Sequence, residues 1–314
     1  MELTTKVTIT GPARKLTFKN KILMVGSCFA DEVGNLLKIH GFDACINPFG
    51  TLYNPISVIS SLDRLASGTP FTPEEVICTG PRKAAVQLYC SFRHHSRFAR
   101  SDAREFLDNA NERLKDAAQF FKEADTIIIT LGTAWVFRHL ATDTIVSNCH
   151  KIEPKEFRRE FLQPEETVQL LEKFTTKHTD KEFILTVSPI RHLKDGAHGN
   201  NISKAALLLA VDWLQRKGYG NISYFPAYEI MLDELRDYRF YAEDMVHPSQ
   251  QAVKYIFERF TESFIAPSEY EQMRLNLKKH KQTAHIPISV YGSTEKKMTV
   301  CHNCKLLRYF RNPG

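Results

Sequence analysis

The sequence predicts an α/β protein with a parallel sheet covered by helices on both faces. Three observations carry that expectation. Short apolar runs alternate along the chain with stretches of helical period, the signature of repeated strand–helix units. Residues 125–131 (DTIIITL) are β-branched and apolar on both faces, as a central parallel strand is. Loops of unusual content follow the apolar runs, above all residues 47–55 (NPFGTLYNP), where glycine, proline and asparagine enforce turns.

The elements follow in order. Residues 21–25 (KILMV) form a first strand that ends at Gly26, and residues 29–40 have helical period. Residues 42–46 read as the second strand, and a helix follows over 56–65. Residues 76–79 and 84–90 suit a hairpin insert, and 102–122 is strongly amphipathic and helical. After the strand at 125–131 come a helix over 165–178, with Pro164 suited to its first turn, and a strand at 183–187. A helix over 203–217, a short strand at 222–225 and a closing helix over 248–264 complete the series. In such sheets ligands bind beyond the carboxyl ends of the strands. That directs attention to Gly26-Ser27, to the 47–55 loop, to Gly132-Thr133 and to Ser188-Pro189.

Composition excludes several classes. Hydrophobic residues make up 43% and charged residues 25% of the 314, a globular balance that excludes wholesale disorder. No apolar run approaches the roughly 20 residues of a membrane helix, and no secretory signal is visible, so a cytoplasmic location is expected. The seven cysteines are scattered and odd in number, which reads as reduced thiols. The net charge of +6 resides wholly in residues 266–314, which hold nine Lys/Arg and three Asp/Glu. A neutral body with a basic end is not the pattern of a nucleic-acid-binding domain. We therefore expect one domain over 1–265 and a basic C-terminal extension over 266–314.

Two features carry chemistry. Ser27 lies behind a glycine, after a strand and before a helix. Its hydroxyl can be a nucleophile served by the amides of the helix start, or simply the helix N-cap. Asp244 and His247, three residues apart before the last helix, can pair so that Nε2 stays free to take a proton, the orienter–base logic of a hydrolase. The alternative is a surface turn. Cys28 competes for the nucleophile role, but one residue into the turn it is expected to point toward the sheet or the helix packing as a buried hydrophobe. Cys301 and Cys304 supply only half of a structural zinc site, so neither a metal nor another cofactor is expected.

Taken together, the blocks resemble a known family. Gly26-Ser27-Cys28-Phe29-Ala30 is similar to the signature of the GSCFA family, a branch like the SGNH (GDSL-like) hydrolases. The 47–55 loop, Leu131-Gly132-Thr133, Ser188 to His192, and Asp244-x-x-His247 resemble further blocks of it. The resemblance implies a flavodoxin-like three-layer α/β/α fold with strand order 2-1-3-4-5. It also implies a serine esterase acting on small acyl esters, such as O-acetyl groups on a glycan, through Ser27, His247 and Asp244. The Ser27 and Gly50 amides are implied oxyanion donors, with help from Thr133. SGNH enzymes carry Gly-x-Asn in the third block, whereas this chain reads Gly132-Thr133-Ala134. Asn47 or Asn54 could replace that asparagine, and Arg191 or His192 could contact an anionic substrate. The rival reading is a non-catalytic glycan- or ligand-binding protein on the same scaffold.

Overall fold

Alternate residues of the first strand face opposite ways, and that alternation sets the layers. The computed structural model describes residues 4–79 and 87–284. The chain runs through β1 (Lys21–Gly26), α1 (Cys28–His40), β2 (Asp43–Ile46), α2 (Pro55–Ser67), β3 (Ile77–Thr79), β4 (Leu88–Cys90) and α3 (Ala103–Glu123). It continues through β5 (Thr126–Leu131), β6 (Trp135–His139), β7 (Thr144–Val146), β8 (Phe157–Phe161), α4 (Pro164–Lys177) and β9 (Glu182–Val187). Last come α5 (Gly196–Arg216), β10 (Ile222–Tyr224), α6 (Ala227–Glu229), α7 (Gln250–Phe264) and α8 (Tyr270–Ala284).

The central sheet has the order β2-β1-β5-β9-β10, and every neighbouring pair is parallel. Numbering only these five strands, the order is 2-1-3-4-5, as expected. Leu23 and Val25 of β1 join the core built by α2, α3, α4 and α5. Ile22 and Met24 join the opposite core, with Val33 and Leu37 of α1 and Ile256 and Phe260 of α7. The period of two along a strand thus makes a three-layer α/β/α fold. Strand order reverses between β1 and β5, so their carboxyl ends open the crevice where such sheets bind ligands.

Four stretches differ from expectation. Residues 135–161 form a separate antiparallel sheet of order β7-β6-β8; its strands are only three to five residues long, and Phe161 of β8 packs against the main core. Helix α5 starts at Gly196, two turns before the expected Ser203. Asn200 is buried in this added length, accepting from the His192 amide at 2.9 Å. Helix α7 begins after Pro248, because Ser249 is its N-cap and accepts from the Ala252 amide. Helix α8 packs on α1, with Met273 buried and Asn276 donating to the His40 carbonyl at 2.8 Å. β3 and β4 do pair as antiparallel strands. The part of the expected hairpin over residues 84–86, and Cys301 and Cys304, lie outside the described residues.

Candidate active site

The first loop is shaped by a glycine that no other residue could replace. Gly26 has φ +146, and a Cβ there would sit 2.1 Å from the Thr130 carbonyl oxygen. Its amide donates to Asn47 Oδ1 at 2.8 Å, and the next amide, of Ser27, donates to Thr130 at 3.2 Å. This seam draws the ends of β1 and β5 together and fixes the direction of the two side chains that follow.

Ser27 faces inward. It is fully buried, with Oγ 3.0 Å from Ser188 Oγ and accepting from the Phe29 amide as the N-cap of α1. Cys28, the first residue of α1, faces outward, and its Sγ lies 3.5 Å from His247 Nε2. The two side chains do diverge, as expected, but in the opposite sense. Ser27 Oγ caps α1, and the Cys28 thiol is the group that lies beside the imidazole. The physical reason is the N-cap geometry: Ser27, at φ −66 and ψ 172, must turn its oxygen back over the first helical turn.

His247 and Asp244 pair as expected. Nδ1 is 2.6 Å from Asp244 Oδ2, and Asp244 Oδ1 accepts from the Val246 and His247 amides at 2.9 and 3.0 Å. Those amides, with the imidazole, hold the Asp244 carboxyl down to about 2. The turn is closed by the Ala242 amide donating to the His247 carbonyl and by Met245 at φ +56. It is tied to the sheet through the Arg191 amide, which donates to the Val246 carbonyl at 3.1 Å. With Nδ1–H given to the carboxylate, Nε2 is left to accept the thiol proton.

Electrostatics around Cys28 is divided. Burial pushes the thiol up to about 11; its own backbone amide lowers it, Asp31 and Glu32 raise it, and Lys204 lowers it. Cys28 is therefore a protonated thiol at neutral pH until a base takes its proton.

The implied oxyanion donors are spent elsewhere. The Ser27 amide is bound to Thr130, and the Gly50 amide donates to the Asn47 carbonyl at 2.8 Å, closing the turn that Gly50 makes at φ +85. The Gly132 and Thr133 amides both donate to the Tyr53 carbonyl. Thr133 Oγ1 accepts from the Trp135 amide and pairs with Ser203 Oγ at 3.0 Å. Asn47 is committed to Gly26 and, through Nδ2, to Asp31 at 2.8 Å, so it does not replace the missing asparagine. Asn54 Oδ1 caps α2 by accepting from the Ser57 amide. The amide of Cys28 itself, in the first turn of α1, has no intrahelical acceptor and faces its own thiol.

Arg191 and His192 border the site without making a cationic clamp. The Arg191 guanidinium lies 5.6 Å from the Tyr241 ring and reaches the Met245 carbonyl only at 3.5 Å. Burial, then Lys204 and His247, pull the His192 imidazole down to about 4, so it is neutral. Its Nε2 is buried and has no partner among the described residues. Sequence reasoning pointed to the Ser188 loop without giving Ser188 a role, missed Lys204, and set Cys28 aside. The Lys204 ammonium is buried and donates to the Gly132 and Ser188 carbonyls, each at 2.7 Å. A lysine among the polar residues of a helix gives no local signal of burial.

The crevice between reversed strands, with an Asp–His pair from the last loop aimed at the first helix, defines a doubly wound α/β protein with a candidate site at its topological switch point. The chain belongs to the GSCFA family, whose sequence profile matches residues 21–260. A comparison with curated proteins returned no match. Among solved structures, a Streptococcus pneumonia protein provisionally described as a platelet activating factor is similar over 77% of this chain and 83% of its own, at 11% identity and TM-score 0.40. A family 3 carbohydrate esterase of Clostridium thermocellum matches over 82% of this chain and 98% of its own, at 10% identity and TM-score 0.37. A family two carbohydrate esterase of the same organism, in complex with cellohexaose, matches over 80% and 65%, at 13% identity and TM-score 0.37. Among the described residues, no helix is long and apolar enough to cross a membrane.

Proposed function

We propose that this protein is an acyl-ester hydrolase that works through a cysteine, with Cys28 as nucleophile, His247 as general base and then acid, and Asp244 as the group that orients His247. The observation that carries the reading is the 3.5 Å approach of Cys28 Sγ to His247 Nε2, with Asp244 on the other ring nitrogen. Ser27 has no such neighbour and no access to solvent.

The steps follow from the geometry. Nε2 takes the thiol proton as sulfur attacks the ester carbonyl carbon. The carbonyl oxygen becomes an oxyanion beside the Cys28 amide and the positive end of α1. Collapse expels the alcohol, which takes the proton from the imidazolium, and leaves a thioester on Cys28. Water, deprotonated by Nε2, attacks the thioester; the carboxylic acid leaves and the proton returns to sulfur. Asp244 stabilises the imidazolium formed in each half-reaction. Small O-acyl esters, glycan-borne O-acetyl groups included, are the substrate class to test first, on the strength of the family resemblance. The catalytic unit is the body of the chain, residues 1–265, with the basic extension outside the chemistry.

The test is a trapped intermediate. Acid-quenching the protein with p-nitrophenyl acetate and mapping acetylation by mass spectrometry should place one hydroxylamine-labile acetyl group on Cys28, and none there in His247→Ala. Acetylation of Ser27, or of neither residue with no turnover, overturns the reading; the second outcome favours the non-catalytic binding protein.

A further inference from the structure

Lys204 is the buried titratable group that the mechanism above does not use. It is 1% exposed. Its Nζ bridges the carbonyls of Gly132 and Ser188, the residues that directly follow β5 and β9, at the end of the sheet where Cys28 sits. Among the described residues it has no carboxylate within ion-pair distance, whereas Lys181, the other buried lysine, has Asp180 at 3.4 Å. Two carbonyl dipoles solvate an ammonium incompletely, and an apolar side chain of the same length costs far less to bury. Ser188 also holds Ser27 through the hydroxyl pair, so the same network reaches the residue that precedes the thiol.

We propose that Lys204 is a positioning residue for the cysteine chemistry. It locks the loops after β5 and β9 and supplies, from beneath the sheet end, the positive charge that offsets the anion formed at Cys28. This inference rests on the Cys28 reading above and deepens it. The groups that face Cys28 make such a charge necessary. Asp31 and Glu32 of its own helix oppose the thiolate, Tyr53 of the second block is a half-buried neutral phenol, and His247 with Asp244 supplies the base but no net charge. Among the described residues, α5 brings the cation that acts on Cys28, and the charge coupling between Lys204 and Cys28 acts on both groups. The other groups facing Lys204 are the neutral His192 and the Tyr228 ring, whose centroid lies 5.8 Å from Nζ. Burial pulls the Lys204 ammonium down to about 7, and the thiolate raises it again. Its charge is therefore in place at and below about pH 7.

The experiment is site-resolved alkylation of Cys28 by iodoacetamide from pH 6 to 10 in the full chain, comparing wild type, Lys204→Met and Lys204→Arg. Loss of a nearby cation shifts a thiol by about one unit or more, so the Met variant should react roughly tenfold more slowly at pH 6, where the ammonium is charged, with the difference closing as Lys204 loses its proton above about pH 7. The Arg variant should recover part of the rate. A folded Met variant whose profile superimposes on wild type overturns the proposal. A second measurement avoids the variant altogether. The Lys204 amine of wild-type protein, followed by nitrogen NMR, should titrate higher after Cys28 is carboxymethylated than after it is carboxamidomethylated. Equal titrations also overturn the proposal. Failure of the Cys28 reading would register separately, in the acetyl-trapping experiment on wild type.

Discussion

Replacing Ser27 and Cys28 by alanine, one at a time, separates a structural hydroxyl from a reacting thiol. Ser27→Ala removes the N-cap acceptor of α1, which typically costs about 1 kcal/mol. It also removes the partner of Ser188 Oγ inside a fully buried pair, adding about 1–3 kcal/mol. The expected loss of stability is therefore about 2–4 kcal/mol, with turnover of the folded fraction within about tenfold of wild type, since the cap touches no reacting atom. Cys28→Ala removes one partly exposed sulfur, worth about 1 kcal/mol of burial, but it takes away the nucleophile. Removing a nucleophile from such a triad costs at least about 10³-fold in kcat. Urea unfolding followed by tryptophan fluorescence, with p-nitrophenyl acetate turnover on the same samples, reads both quantities. A Ser27→Ala protein that keeps its stability and loses hydrolysis, beside an active Cys28→Ala protein, would refute the reasoning.

Three further outcomes follow. Asp244→Asn should lower kcat by about 10²–10⁴, because the amide can hold the wrong imidazole tautomer; and because the native carboxyl is held down to about 2, a wild-type acid limb with a midpoint near 4 would contradict its role. His94, enclosed by Phe49, Phe71, Phe98 and Phe106, is pulled down to about 3 by burial, then by His150 and Arg64. The unfolded chain binds that proton below about 6.5 and the folded chain does not, so stability is full above pH 6.5 and falls toward pH 3. The loss at pH 4.5 is about 2–3 kcal/mol, and chemical denaturation of His94→Leu should show this part of the acid slope gone. Gly26→Ala drives a methyl into the Thr130 carbonyl; we expect no soluble folded protein, or a loss above about 3 kcal/mol in urea melts, and a wild-type melt would contradict the seam between β1 and β5.

Legibility in the sequence followed the range of the interactions. The five central strands and the helices between them were readable because residue periodicity is a local property, and alternation along β1 or β5 survives any arrangement of the rest. Asp244 and His247 were readable as a pair because three residues of a turn suffice to join them. The β6–β8 sheet was not, since strands of three to five residues are decided by pairing across the chain rather than by their own pattern.

The class of the fold and the pairing of Asp244 with His247 were thus written in short stretches of sequence, while the order of the strands came from the family resemblance. Tertiary structure alone decided which of two adjacent side chains faces the imidazole. Ser27 and Cys28 differ by one step of backbone, and the choice is made by Gly26 at φ +146 against the Thr130 carbonyl, which sends the hydroxyl toward Ser188 and the thiol toward His247. It also spent the Gly50 and Thr133 donors and buried Lys204 between two strand ends. A hydrogen bond goes to the acceptor that packing brings within 3 Å, and a sequence does not say which acceptor that is.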